Sequence, residues 1–403
     1  MVRGYYSKLK YKKGGCCRKT QGAGSENTMI KINVETLAGA LKKLKGFTEK
    51  TVILDFSLGS AGDGDERFMQ VSACNGTAQA NVLTYYTGDN AEAKRYIVSS
   101  SFIETVDTLA GLGDELLIEE VDGSLKVSCG TAVVPVQLMT DGTTLKMKNI
   151  EKLEHLRLTV SAKDFSEVVF RGGFGTGDAT MGVPLFAGTV VFSLVEENDK
   201  FFLRAFSCCN AFVASATVDV SVKDTATFKK YAAGGCTAVN YAAISALAKR
   251  VTNEAVELIF TDKQMILTDG ADVYLFTVVE GAAPSQIVSL VSTEVEREFS
   301  YTLDREALRK CLAVVALTKD KIVKFAFEED KVVLSDSKYT SRVECQATAA
   351  KAEKKEIVMS AEFVKNIATA MPESFEVYGP KNSTGLFFTG SGCKTFLMPI
   401  MGA

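Results

Sequence analysis

The chain has 403 residues, of which 46% are hydrophobic and 24% charged, and its formal net charge is −3 at pH 7. That length exceeds one ordinary core and predicts two or three domains, while the composition excludes extensive disorder. No apolar run reaches the roughly 18 residues of a membrane helix and no secretory-type apolar stretch opens the chain, so a cytoplasmic protein that does not engage membranes is expected.

Residues 1–28 are rich in Lys, Arg, Gly and Ser and carry neither helical nor strand periodicity. They read as a flexible basic extension, either a tail that touches nucleic acid or a stretch upstream of the native start. From Met29 onward one unit recurs: a short strand, a helix of about ten residues, then alternating strands separated by Gly, Asp and Asn turns. Six copies begin at Ile30, Tyr96, Leu156, Thr237, Glu298 and Glu356. Taken in pairs they predict three tandem domains, 29–150, 151–292 and 293–403, each with two helices and two antiparallel sheets. The fold class is α+β.

Each predicted helix has an outer face opposite its apolar stripe, at about 100° per residue. In the first, Leu37, Leu41 and Leu44 put Lys42 and Lys43 on the far side and Lys45 on the flank. The fourth presents Lys249, the fifth Lys310 and the sixth Lys365, whereas the second sets Glu104 and Asp107 outward and the third mixes Lys163 with Glu167. Lysine is a common filler of solvated helix faces. Gathered along a common channel, these lysines would instead track a phosphate backbone without reading bases.

Enzyme chemistry is poorly provided for. The one histidine, His155, lies in a polar linker, leaving Ser-His-Asp or Cys-His catalysis without an evident base. The glycine-rich stretch Arg171 to Asp178 follows a helix and lacks phosphate-loop spacing, so it reads as a flexible connection. The ten cysteines include no CxxC, and the doublet Cys208-Cys209 has no basic neighbour in sequence to activate it. Asp262, Asp269 and Asp272 fall near hairpin turns, where Asp caps local backbone. No catalytic residue, metal site or cofactor is assigned.

Three pairs of strand-helix-strand units ending in Leu397-Met398-Pro399-Ile400 resemble the bacterial replicative sliding clamp, the beta subunit of DNA polymerase III. The similarity spans 29–403 and includes Val279 to Gln286 (VEGAAPSQ), which looks like the family's Val-Asp-Gly-x-Phe-Pro-Asp-Tyr turn. The resemblance implies a head-to-tail homodimeric ring around double-stranded DNA, helices inward, acting as a non-catalytic processivity factor. It implies DNA contacts at Lys42, Lys43, Lys45, Lys50, Arg171, Lys249, Lys310 and Lys365.

It also implies an apolar cleft for short linear motifs of a DNA polymerase and clamp loader. By position that cleft uses Leu185, Phe186, the segment from Cys208 through Asn210 to Val213, Pro284, Val288, Thr384, Phe396, Met398, Pro399 and Ile400. The family's Thr-Asp-Gly-His-Arg-Leu-Ala is replaced here by Cys208 to Ala214 without its charged pair, which predicts a divergent partner set. Ring closure is implied at the strand carrying Val133 and Val134 and at Ala316 and Leu317, with Pro135 unexpected in a paired strand. The alternative is a clamp-fold structural or adaptor protein that does not encircle DNA.

Overall fold

The computed structural model describes residues 29–56, 67–88, 94–146, 154–176, 187–209, 211–279, 285–381 and 384–400. All six copies appear as one strand, one helix and three further strands. The first comprises β1 (Met29–Asn33), α1 (Val34–Lys42), β2 (Thr51–Asp55), β3 (Arg67–Cys74) and β4 (Ala78–Gly88). The second comprises β5 (Arg95–Ser99), α2 (Phe102–Leu109), β6 (Glu115–Val121), β7 (Ser124–Cys129) and β8 (Ala132–Gln137). The third runs β9 (Leu156–Ser161), α3 (Ala162–Gly173), β10 (Thr189–Glu197), β11 (Lys200–Cys208) and β12 (Phe212–Asp219).

Two elements absent from the expected pattern follow, β13 (Ser221–Val222) and α4 (Thr225–Gly234). The fourth copy is β14 (Cys236–Asn240), α5 (Tyr241–Ala248), β15 (Ala255–Phe260), β16 (Gln264–Asp269) and β17 (Asp272–Thr277), followed by a further unexpected helix, α6 (Ser285–Ser292). The fifth is β18 (Arg297–Asp304), α7 (Arg305–Val315), β19 (Ile322–Phe327), β20 (Lys331–Ser335) and β21 (Arg342–Lys351). The sixth is β22 (Lys355–Ser360), α8 (Ala361–Ala370), β23 (Ser374–Pro380), β24 (Leu386–Gly390) and β25 (Cys393–Leu397). Helix α4 escaped detection because Phe228 is its one fully buried side chain, so it shows no apolar period.

The strand-to-helix step has a local cause. The last residue of the first strand caps the helix: the side chains of Asn33, Ser161, Asn240 and Asp304 accept from the backbone N–H groups of Thr36, Asp164, Ala243 and Ala307. An alternating strand that ends on Asn, Asp or Ser therefore turns directly into a helix. The apolar stripe then buries against the sheet, as Leu37, Leu41 and Leu44 do in the first copy.

The chain divides into two compact units. One holds residues 1–153, 250–258 and 266–277, and the other 154–249, 259–265 and 278–403, so the division passes through β15 and β16. In the first unit the strands run β17-β4-β1-β6-β7-β8, with β3 also on β4 and β2 joining β3 to β5. Phe47 packs against Tyr274 and Phe276 at ring-centroid distances of 5.6 and 5.8 Å. In the second unit twelve strands form one sheet, β14-β10-β11-β12-β25-β24-β23-β18-β21-β20-β19-β22. Within that sheet the β12–β25 pairing joins strands of the third and sixth copies and runs antiparallel from Phe212↔Leu397 to Ala216↔Cys393.

The glycine-rich stretch is a packing device and not the flexible connection expected. Gly172 and Gly173 close α3, and a Cβ on Gly172 would strike the backbone of Ala205 on β11, while one on Gly173 would strike the Tyr241 ring on α5. The Ser207 hydroxyl donates to the Gly172 carbonyl at 2.6 Å and accepts from the Gly175 N–H at 3.0 Å. Residues 177 and 178 of this stretch lie outside the described residues.

Candidate nucleic-acid face and partner cleft

In the first unit, Lys45 and Lys50 are exposed and Lys42 lies 3.3 Å from Asp107 of α2. The acidic helix face thus neutralises part of the first lysine cluster. Lys43 has a different environment: its Nζ donates to Asp272 Oδ2 at 2.6 Å, and Asp272, 7% exposed at its side chain, also accepts from the Leu83 N–H at 3.1 Å. Burial raises the Asp272 carboxyl above its ordinary value, with the Lys43 hydrogen bond and charge pulling it down and Asp269 pushing it up. Lys43 therefore ties α1 to β17 and β4. The helical wheel could not show this, because Asp272 comes from 229 residues further along the chain.

In the second unit Lys249, at the end of α5, Lys310 on α7 and Lys365 on α8 are exposed. Arg171 is not: its side chain is 18% exposed, lies 3.2 Å from Glu167 and donates to Cys393 Sγ at 3.6 Å. Of the cations predicted to meet DNA, Lys45, Lys50, Lys249, Lys310 and Lys365 are thus exposed, with Lys42 shared. Each is a point charge on a mobile stem, which suits backbone attraction over base reading.

The expected cleft residues lie at the β12–β25 junction of the second unit. Val213 is buried opposite Phe396, the Met398 N–H donates to the Ala211 carbonyl at 2.8 Å, and Met398 keeps 52% of its surface exposed. Pro399 and Ile400 are half-buried, and the Ile400 N–H donates to the Val358 carbonyl at 2.9 Å. Cys208 and Val288 pack on the buried cluster of Val191, Phe206, Val213 and Ala238. Thr384 is exposed, while Leu185, Phe186, Asn210 and Pro284 lie outside the described residues.

Sequence reasoning did not name the buried residues on which Cys208 and Val288 pack. Val191, Phe206 and Ala238 come from β10, β11 and β14, and Ile287 and Leu290 come from α6. The signal was present in the alternation of Phe202, Arg204 and Phe206, which puts Phe206 on one face of β11. What packs it with Val191 and Ala238 is the pairing of three separate strands.

The thiols of the Cys208-Cys209 doublet sit above the ordinary cysteine value. Burial pushes the Cys208 thiol up to about 11, helped by Cys209, and burial likewise raises Cys209. Both are neutral apolar contacts near pH 7. A larger cavity, about 490 Å³, lies elsewhere in the unit and is lined by Asp164, Glu167, Glu197 and Asp219 with Arg204. Phe202 and Val218 also line it, and Arg204 is occupied by Thr217, Ser292 and Glu197, so its one arginine is already engaged.

Among the described residues no helix is long and apolar enough to cross a membrane. No protein-family model matches the sequence, and no curated protein matches it. Solved structures do match. The beta sliding clamp of Caulobacter crescentus superimposes with a TM-score of 0.75 at 17% identity, covering 94% of this chain and 100% of that one. The DNA polymerase III beta subunit of Thermotoga maritima gives 0.74 at 15% identity over 93% and 100%. The sliding clamp of Pseudomonas aeruginosa bound to griselimycin gives 0.73 at 12% identity over 93% and 99%. The chain, highly divergent in sequence, has the fold of the bacterial DNA polymerase III beta sliding clamps.

Proposed function

We propose that this protein is a DNA sliding clamp: a cytoplasmic, non-catalytic processivity factor of three clamp domains, 29–150, 151–292 and 293–403, that closes as a head-to-tail homodimer around double-stranded DNA. The observation that carries the reading is a strand joint made twice within the chain and left open a third time. The first half of β4 pairs β17 (Ala78↔Phe276 to Asn81↔Val273), and the first half of β12 pairs β25. In each case the last strand of an even-numbered copy joins the last strand of an odd-numbered one. The corresponding third partners are the first half of β21 and β8. Among the described residues Arg342–Gln346 pairs β20 on one edge only, and Ala132–Gln137 pairs only β7.

Two open edges of complementary type on one chain make a heterologous contact, which closes a ring when the rotation permits. Val133 is 55% exposed on β8, an edge strand on which Pro135, lacking an N–H to donate, also faces solvent. Leu317, 80% exposed in the turn after α7, with Ala316 beside it, supplies an apolar contact that solvent otherwise meets. Lys45, Lys50, Lys249, Lys310 and Lys365 supply the phosphate attraction. The cleft at Val213, Val288, Phe396 and Met398 recruits a polymerase and a clamp loader through short apolar motifs, and its neutral rim at Cys208 and Cys209 favours partners that do not depend on a charged rim.

The test is topological. The protein is diluted until rings open, mixed with nicked circular plasmid, reconcentrated and separated by gel filtration in high salt. A clamp stays with the circle and leaves when the plasmid is linearised. Release from the circle at the same rate as from linear DNA would refute encirclement.

A further inference from the structure

The two strand joints made within the chain share one register, and that register carries over to the open pair of edges. In the odd-numbered copies the last hairpin closes on a backbone bond: the N–H groups of Asn75, Cys209 and Asp336 donate to the carbonyls of Ala78, Phe212 and Ser341 at 3.1, 2.9 and 3.4 Å. Ala78, Phe212 and Ser341 therefore hold one position, although the turn between Ser335 and Arg342 is longer than those between Cys74 and Gln79 and between Cys208 and Val213. In the even-numbered copies Asp272, Cys393 and Ala132 each begin the last strand, after the turns 270–271, 391–392 and 130–131, so Phe276, Leu397 and Val136 stand at one position along those strands. In both made joints that residue faces the one that closes the odd turn, Phe276↔Ala78 and Leu397↔Phe212. The same register places Val136 of one protomer opposite Ser341 of the other, and hence Pro135 opposite Arg342, Val134 opposite Val343 and Val133 opposite Glu344.

Hydrogen bonds alternate along antiparallel strands, so a residue bonded within its hairpin leaves the next one with its N–H and C=O turned to the other edge. Gln79, Val213 and Arg342 thus present theirs to the joint. On the even strands the made joints show the matching donors: the N–H of Thr277 donates to the Thr77 carbonyl and that of Met398 to the Ala211 carbonyl, both at 2.8 Å. Two residues back, on the same edge, stand Leu275 and Phe396, opposite Gln79 and Val213. Their counterpart on β8 is Pro135, which has no N–H.

We propose that Pro135 is a weak point set into the ring joint. Each joint lacks the bond from position 135 to the Arg342 carbonyl of the other protomer, and the two joints of a closed ring lack two such bonds. The inference rests on the DNA-encircling reading above and adds where, and why, the ring parts. Within the protomer the proline removes no ladder bond, because its nitrogen faces away from β7. It also denies stray strands a complete ladder on this edge. A ring that opens to receive circular DNA and closes to keep it is served by a joint whose strength one residue sets.

Pro135→Ala and Pro135→Leu restore the N–H, the second with the side chain that β17 carries at this position, Leu275. Neither disturbs a pairing that the protomer already makes. Sedimentation equilibrium of the full chain should show both variants dissociating at concentrations about fivefold to a hundredfold lower than the wild type, as for one hydrogen bond regained at each of two joints. Their half-life on nicked circular plasmid should lengthen, because leaving a circle requires an open joint, while release from linear DNA is unchanged. A wild type that is dimeric and retained on circles, with no tightening in either variant, would overturn the weak point and leave the clamp reading standing. Tightening by Pro135→Leu alone would also overturn it, since the gain would then come from apolar contact and not from the N–H. Wild type and variants all monomeric, with no retention on circles, would remove the ring and the weak point together.

Discussion

Lys42 and Lys43 are neighbours in sequence with different roles in the fold. Lys42 sits exposed beside Asp107, whereas Lys43 is the partner of a buried carboxylate. Breaking a buried pair by removing one member leaves an uncompensated charge, and with Lys43 partly exposed Lys43→Met should cost about 2–3 kcal/mol at pH 7. The pH dependence follows from Asp272. Its folded value is raised above its usual 3.8, so its contribution to stability is complete below about pH 3.8 and is lost as pH rises through the folded value. Removing the lysine raises that value further. The penalty of Lys43→Met should therefore be largest at neutral pH and shrink toward pH 4, as urea denaturation at both pH values would show; a penalty that grew on acidification would contradict the assignment. At the exposed sites the prediction concerns DNA: Lys310→Ala should lower the slope of log K against log salt by about one to two, one contact per protomer, with stability unchanged within about 0.5 kcal/mol.

Helix α3 and the strands β8 and β21 show what pairing and close approach add to a local pattern. The helices of the six copies were legible through their apolar stripes, and in four of them an Asn, Asp or Ser side chain caps the helix where the strand ends. Gly172 and Gly173 were misread because their reason is a close approach to Ala205 and Tyr241, residues that sequence spacing does not bring near. Gly172→Ala must push α3 off β11 and should destabilise the protein by about 1–3 kcal/mol, measured as a lowered denaturation midpoint with an unchanged m-value. An unaltered midpoint would mean that α3 has room to shift. The surroundings of the candidate cleft residues were half legible for a similar reason: Val213, Phe396 and Met398 fall at a recognisable chain position, but Val191, Phe206 and Ala238 join Val213 in one buried cluster only through strand pairing.

The whole molecule was the most legible level, because six repeats of one unit constrain the architecture more tightly than any single motif does. With identities of 12–17% to the matching clamps, side chains have changed almost throughout while the order of strands and helices has not. Backbone pairing and the apolar period preserve that order. The open joint belongs to this scale. Leu317→Asp places a charge where the apolar contact should form, so sedimentation should show dissociation at concentrations at least tenfold higher than for the wild type, with the protomer's far-ultraviolet circular dichroism intact.

The central claim is that the joint made by β4 with β17 and by β12 with β25 is completed between two chains by β21 and β8. Cryo-electron microscopy of the full-length protein tests it most directly. The account predicts a closed ring of two chains in which Arg342–Gln346 of each protomer runs antiparallel to Ala132–Gln137 of the other, around a hole bordered by Lys45, Lys249, Lys310 and Lys365. A monomer at micromolar concentration, or a dimer that leaves both edges open, would contradict it.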